Sequence, residues 1–124
     1  MLINLSNHPS NNWESKQKEK AISSFGSIVD LPFPPIDPQW TKLEISIKAK
    51  EYFNKCMLIF DQCANEPKAN AVHIQGEFTF VFRLVTMLKQ SDIKCLASTT
   101  LRNAEELDDG KKIVKFQFIQ FREY

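Results

Sequence analysis

The sequence predicts an α/β fold: one Rossmann-like domain over residues 1–124, with a mostly parallel five-stranded sheet of order 2-1-3-4-5, helices on both faces and an antiparallel last strand. Three observations predict it. Short apolar runs alternate with longer segments of helical periodicity, the pattern of β-α-β units and a parallel sheet. Three of those runs are each followed by a short polar stretch, Asn4 to Pro9, Gln75 to Thr79 and Ala97 to Arg102, which gathers unlike hydrogen-bonding groups at one rim of the sheet. Finally, 124 residues with 43% hydrophobic content can fill one core but not two.

Met1 to Leu5 is short, apolar and not amphipathic, as expected of a strand covered on both faces. Asn11 with Glu14 three residues on resembles a capping box, and Gly26 supplies a stop, giving a first helix over about residues 13–25. Ser27 to Leu31 is the second strand. It ends in Pro32, Pro34, Pro35 and Pro38, which cannot donate to a ladder and hold the connector extended. From Thr41 to Cys63, Ile45, Ala49, Tyr52, Phe53, Cys56, Ile59, Phe60 and Cys63 recur at three- and four-residue steps and give a long amphipathic helix.

After a turn-rich stretch from Ala64 to Asn70, Ala71 to Ile74 makes the third strand, and Gly76 breaks it into a helix ending near Gln90. That helix carries Phe78, Phe80, Val81, Phe82, Leu84, Val85, Met87 and Leu88 around nearly its whole circumference. A helix apolar on every side is buried on every side. A domain this small has no second layer for its outer surface, so a homodimer is expected with this helix at or near the interface. Ile93 to Ala97 is the fourth strand, and a polar, acidic segment runs from Leu101 to Asp109. Asp109-Gly110 signals a turn, and Lys112 to Phe121 alternates as a fifth, antiparallel edge strand.

Sixteen basic and fifteen acidic residues give a net charge of +1, so the broad electrostatic footprint of duplex nucleic-acid binding is missing. Three cysteines, Cys56, Cys63 and Cys95, fit a reducing compartment better than a disulfide framework. No C-x-x-C or close His/Cys cluster completes a tetrahedral metal site, and no cofactor is expected. With no leader-like amino terminus and no window of about 20 apolar residues, a soluble cytoplasmic protein without membrane contact is expected. No phosphate-binding loop, dinucleotide, serine-esterase or zinc-protease motif occurs.

The topology brings the segments after strands one, three and four to the same side of the sheet, beside the switch point between strands one and three. Asn4, Ser6, Asn7 and His8 offer amides, a hydroxyl and an imidazole suited to phosphate, ribose or base edges. A simpler role for Asn7 and Ser10 is to turn the chain and cap a helix. Gln75, Gly76, Glu77 and Thr79 open a helix whose free N–H groups favour anions, although the Glu77 carboxylate opposes a phosphate and suits a ribose hydroxyl or the helix dipole. Ser98, Thr99 and Thr100 with Arg102 match the needs of an oxyanion, unless Arg102 pairs with Glu105 or Glu106 on the surface. His73, inside an apolar strand, reads as a core histidine, and Lys16, Lys18 and Lys20 as a solvated helix face.

Taken together, Leu2 to Pro9, Val29 to Pro34, His73 to Phe80, Ala97 to Thr100 and Phe121 to Tyr124 resemble small accessory proteins of type III CRISPR systems that are similar to isolated CARF domains. The resemblance spans nearly the whole chain. It implies a Rossmann-like dimer that binds a cyclic oligoadenylate second messenger across its two-fold axis, to cleave it as a ring nuclease or to sequester it. The three loops would form the cradle, with His8 as general acid or base and Arg102 assisting a ribose 2′-hydroxyl attack without metal. Two other classes fit the same residues: a phosphoesterase or transferase acting on another small nucleotide, and an interaction module whose apolar helix docks a different protein.

Overall fold

The computed structural model describes residues 1–64 and 68–124; residues 65–67 of the turn-rich stretch expected between Ala64 and Asn70 lie outside the described part. Five strands, β1 (Leu2–Leu5), β2 (Ile28–Asp30), β3 (Ala71–Ile74), β4 (Lys94–Glu106) and β5 (Lys112–Glu123), form one sheet of order β2-β1-β3-β4-β5. The first four pair in parallel and β5 runs antiparallel to β4, as the sequence predicts. The crossovers are the helices α1 (Ser15–Phe25), α2 (Lys42–Gln62) and α3 (Phe78–Gln90).

Strand alternation sorts the core into two faces. Ile3, Leu5, Val72, Ile74 and Cys95 pack with Ile45, Ala49 and Cys56 of α2 and Phe80, Leu84 and Leu88 of α3. Leu2, Ala71 and Leu96 face the other way, onto Trp13 and onto Ala21 and Phe25 of α1. On that second face the same alternation buries two polar side chains, Asn4 and His73, which are 1% and 2% exposed and stand opposite each other in the β1–β3 register. The α2 start is a complete capping box: Thr41 Oγ1 accepts from the Glu44 N–H and the Glu44 carboxylate accepts from the Thr41 N–H.

Two local expectations need correction. Asn11 does not cap α1: Ser10–Asn12 forms a single 3-10 turn, Glu14 takes the cap position, and its carboxylate accepts from the Phe118 N–H of β5 instead. The outer side of α3 is open within one copy, as expected where the domain has no second layer: α2 and the sheet cover Phe80, Val81, Leu84, Val85 and Leu88, leaving Phe78 88% and Phe82 66% exposed. The fourth strand does not end at Ala97. β4 runs on to Glu106 and pairs with β5 throughout, so the hairpin projects as a two-stranded ribbon beyond the parallel strands. Pairing in a ribbon needs only backbone groups, so the polar composition of Leu101 to Glu106 did not reveal it. The ribbon closes where Gly110 adopts φ 82°, and a register shift at Thr99/Thr100 marks a bulge at its base.

Candidate functional site

The site is built from the buried polar pair outward. After β1 the chain turns so that the His8 carbonyl accepts from Asn4 Nδ2 at 2.9 Å and from Trp13 Nε1 at 3.1 Å, which fixes the loop and leaves Asn7 and His8 side chains exposed. Asn4 Nδ2 also donates to Asp30 Oδ1 at 2.7 Å. Burial alone would raise the Asp30 carboxyl, but hydrogen bonds from Asn4 and from the hydroxyl and N–H of Ser10 outweigh it and hold the group below the usual aspartate value.

With both Asn4 amide hydrogens committed to oxygen acceptors, Asn4 Oδ1 is an acceptor by necessity. It receives Ser6 Oγ at 2.9 Å and faces His73 Nδ1 at 2.9 Å, so the proton of a neutral His73 sits on Nδ1. Nε2 is then left with its lone pair, and Ser98 Oγ lies 2.7 Å from it, positioned to donate. Ser98 Oγ in turn accepts from Gln17 Nε2 at 3.0 Å. Burial pushes His73 down to about 4, against the opposing effect of Gln75 and with the aid of nearby His8, so the ring is neutral at pH 7. Trp13 and Phe121 hold its orientation through edge contacts at 5.2 and 5.6 Å.

Above this network opens a cleft of about 560 Å³, past the carboxyl ends of β1 and β3 and beside Ser98 and Thr100 in the first part of β4. Asn7, His8 and Asn12 form one wall, and the start of α1 contributes Trp13, Glu14 and Gln17. His73 forms the floor, Gln75 and Gly76 the near rim, and Ser98, Thr100, Phe116 and Phe118 of the ribbon the far wall. Phe116 is 61% exposed, an open aromatic face. Among the described residues, no lysine or arginine is in the lining.

The cleft gathers Asn7, His8, Gln75, Gly76, Ser98 and Thr100 of the residues expected at a site. Asn4 and Ser6 lie beneath it, as supports rather than lining. Glu77 and Thr79 stand outside: the Glu77 carboxylate accepts from the Thr79 and Phe80 N–H groups and from Thr79 Oγ1, so the donors at the start of α3 are already occupied. Against the cost of desolvation, those bonds lower the Glu77 carboxyl. Thr99 donates to the Gln120 carbonyl, and Arg102 pairs with Phe116 along the ribbon without lining the cleft. Gly76 is explained by packing, since a Cβ there would overlap the Phe33 ring, which rests edge-on against Phe80. His73, Gln17, Trp13, Phe116 and Phe118 were not anticipated. Period-two alternation held part of the signal, because Asn4 with Ser6 and His73 with Gln75 are same-face pairs on neighbouring strands.

A second groove, of about 620 Å³, runs along the outer side of α3 between Phe78, Val81, Phe82, Val85 and Tyr124. It shares Gln75 and Gly76 with the cleft. Among the described residues no three His, Cys, Asp or Glu side chains group as a metal site requires, and no helix is long and apolar enough to cross a membrane. The chain belongs to the uncharacterized protein MJ1673 family, whose pattern it matches over residues 1–122. No curated protein and no solved structure matches it.

Proposed function

Starting from a family with no assigned activity, we propose that this protein binds a cyclic oligoadenylate in the cytoplasm, in type III CRISPR antiviral signalling, as a homodimer that sequesters or slowly cleaves the ring. A single observation carries the proposal: the segments following β1 and β3 meet Ser98 and Thr100 of neighbouring β4 in one cleft whose amides and hydroxyls suit ribose and base edges and whose wall presents an open Phe116 face for stacking. The resemblance of short strand-end motifs to CARF-like accessory proteins supports this choice of ligand class.

The shared edge of the two hollows supports the dimer. Phe78 and Phe82, one turn apart on α3, are exposed beside Gln75 and Gly76, so a second copy covering them would meet the cleft at its rim. The lining holds no lysine or arginine, so phosphate charge must be met by His8, by backbone N–H groups and by cations contributed from the ribbon or the second copy, Arg102 among them.

A thermal-shift panel followed by calorimetry tests the ligand. Cyclic oligoadenylates of at least one ring size should raise the melting temperature, as linkage requires of a native-state ligand, while AMP and linear diadenylate should not. A rise with mononucleotides alone would move the function to another small nucleotide, and no rise with any ring at micromolar concentration would refute the proposal. Chromatography of the incubated ring separates cleavage from sequestration.

A further inference from the structure

We infer that Ser98 is an activated nucleophile, with His73 as its base and Asn4 as the group that orients the base, and that it reacts with a neutral acyl electrophile such as a carboxylic ester. The inference does not rest on nucleotide binding. Ser98 Oγ is 2.7 Å from His73 Nε2, His73 Nδ1 is 2.9 Å from Asn4 Oδ1, and Asn4 Nδ2 is 2.7 Å from the Asp30 carboxylate. This is the arrangement that nucleophilic catalysis needs: a hydroxyl on the lone pair of a neutral imidazole whose tautomer is fixed from behind. Ser98, His73 and Gln75 all line the cleft, so the hydroxyl faces a space that a substrate can enter.

One feature of the network exceeds what folding requires. Gln75 Nε2 donates to the Ser98 carbonyl at 3.1 Å, and this turns Gln75 Oε1 toward His73 Nε2 at 3.1 Å. A neutral ring protonated on Nδ1 offers that oxygen nothing to accept. Once Nε2 takes the serine proton, the imidazolium finds Asn4 Oδ1 on one side and Gln75 Oε1 on the other. The acceptors are thus set for the charged state that appears only during reaction.

The step balances with water as co-reactant. Ser98 Oγ bonds to the carbonyl carbon while its proton moves to His73 Nε2, and Gln17 Nε2, 3.0 Å from Ser98 Oγ, lies beside the reacting centre as a hydrogen-bond donor. The carbon–oxygen bond to the alcohol then breaks, with the proton passing from His73 to the departing oxygen. Water next attacks the acyl-serine, gives a proton to His73, and releases the carboxylic acid as Ser98 recovers its hydrogen. The lack of lysine and arginine in the lining favours an uncharged electrophile over a phosphate diester for this step.

Treating the full-length protein with an alkyl fluorophosphonate and reading intact mass and the modified peptide tests the assignment. One equivalent should attach at Ser98, and Ser98→Ala should take up none. His73→Gln should slow labelling at least about 100-fold, the usual range for loss of a positioned base. Gln75→Leu, a change at the half-buried rim that leaves His73 in place, should slow it about tenfold, and circular dichroism verifies that each variant is folded. An ester with a chromogenic leaving group should give a burst of one equivalent. No modification of Ser98 in the folded protein, or a labelling rate that neither the His73 nor the Gln75 variant lowers, overturns the proposal.

Discussion

His73 links stability to pH with a sign that follows from its burial. Its folded value is about 4 against an ordinary 6.5, so the unfolded chain binds a proton over an interval in which the native protein does not. Stability contributed by the neutral ring is therefore fully present above about pH 6.5 and is lost as pH falls toward 4, by on the order of 3 kcal/mol in total. Urea midpoints measured between pH 7 and pH 5 should fall in the wild type and change far less in His73→Gln. Equal slopes in the two proteins would contradict the buried neutral ring. Gly76→Ala tests the neighbouring packing, since its Cβ would displace the Phe33 ring from Phe80 and should cost about 1–3 kcal/mol, read by the same midpoints. An unchanged midpoint would show that Phe33 moves aside freely.

At the level of elements, the start of α3 separates a structural cap from a binding loop. Because Glu77 already satisfies the Thr79 and Phe80 N–H groups, Glu77→Ala should lower stability by about 1 kcal/mol, while Thr79→Ala should leave ring affinity unaltered in calorimetry. A tenfold loss of affinity in Thr79→Ala would return this segment to the site. The same comparison shows what was legible in the sequence. Apolar runs and three-to-four spacing located β1, β2, β3, α2 and α3, because these signals are local and repeat many times, and the strand order followed from right-handed crossovers. The cap at Asn11 and the end of β4 were not legible. A cap depends on which nearby partner competes for Glu14, here the Phe118 N–H 104 residues away, and the ribbon depends on backbone pairing to which Asn103, Glu105 and Glu106 offer no local clue. The sequence marks His73 as a core residue and it is 2% exposed, but its network was not legible, since its apolar flanks Val72 and Ile74 face α2 and α3 while its own side chain faces the other side of the sheet.

For the whole molecule, the exposed α3 face and the cleft are coupled by their common rim at Gln75 and Gly76. Phe82→Asp places a charge in the middle of the exposed apolar face and should convert a dimer into a monomer in sedimentation while leaving the fold intact; a dimer of undiminished affinity would locate the interface elsewhere. Arg102→Ala should weaken ring binding by about 1.5–3 kcal/mol, the value of a charged hydrogen bond, whereas Lys18→Ala should not, and equal affinities in calorimetry would remove Arg102 from the cradle. The most direct measurement is a titration with a cyclic oligoadenylate followed through the side-chain amide resonances of asparagine and glutamine. Asn7, Gln17 and Gln75 line the cleft, while Asn54 and Gln62 lie exposed on α2. The first three are predicted to shift together and saturate at one ring per binding site with the second pair unmoved; shifts confined to α2, or none at saturating ring, would contradict a ligand cleft between the segments after β1 and β3 and the Ser98 and Thr100 positions of β4.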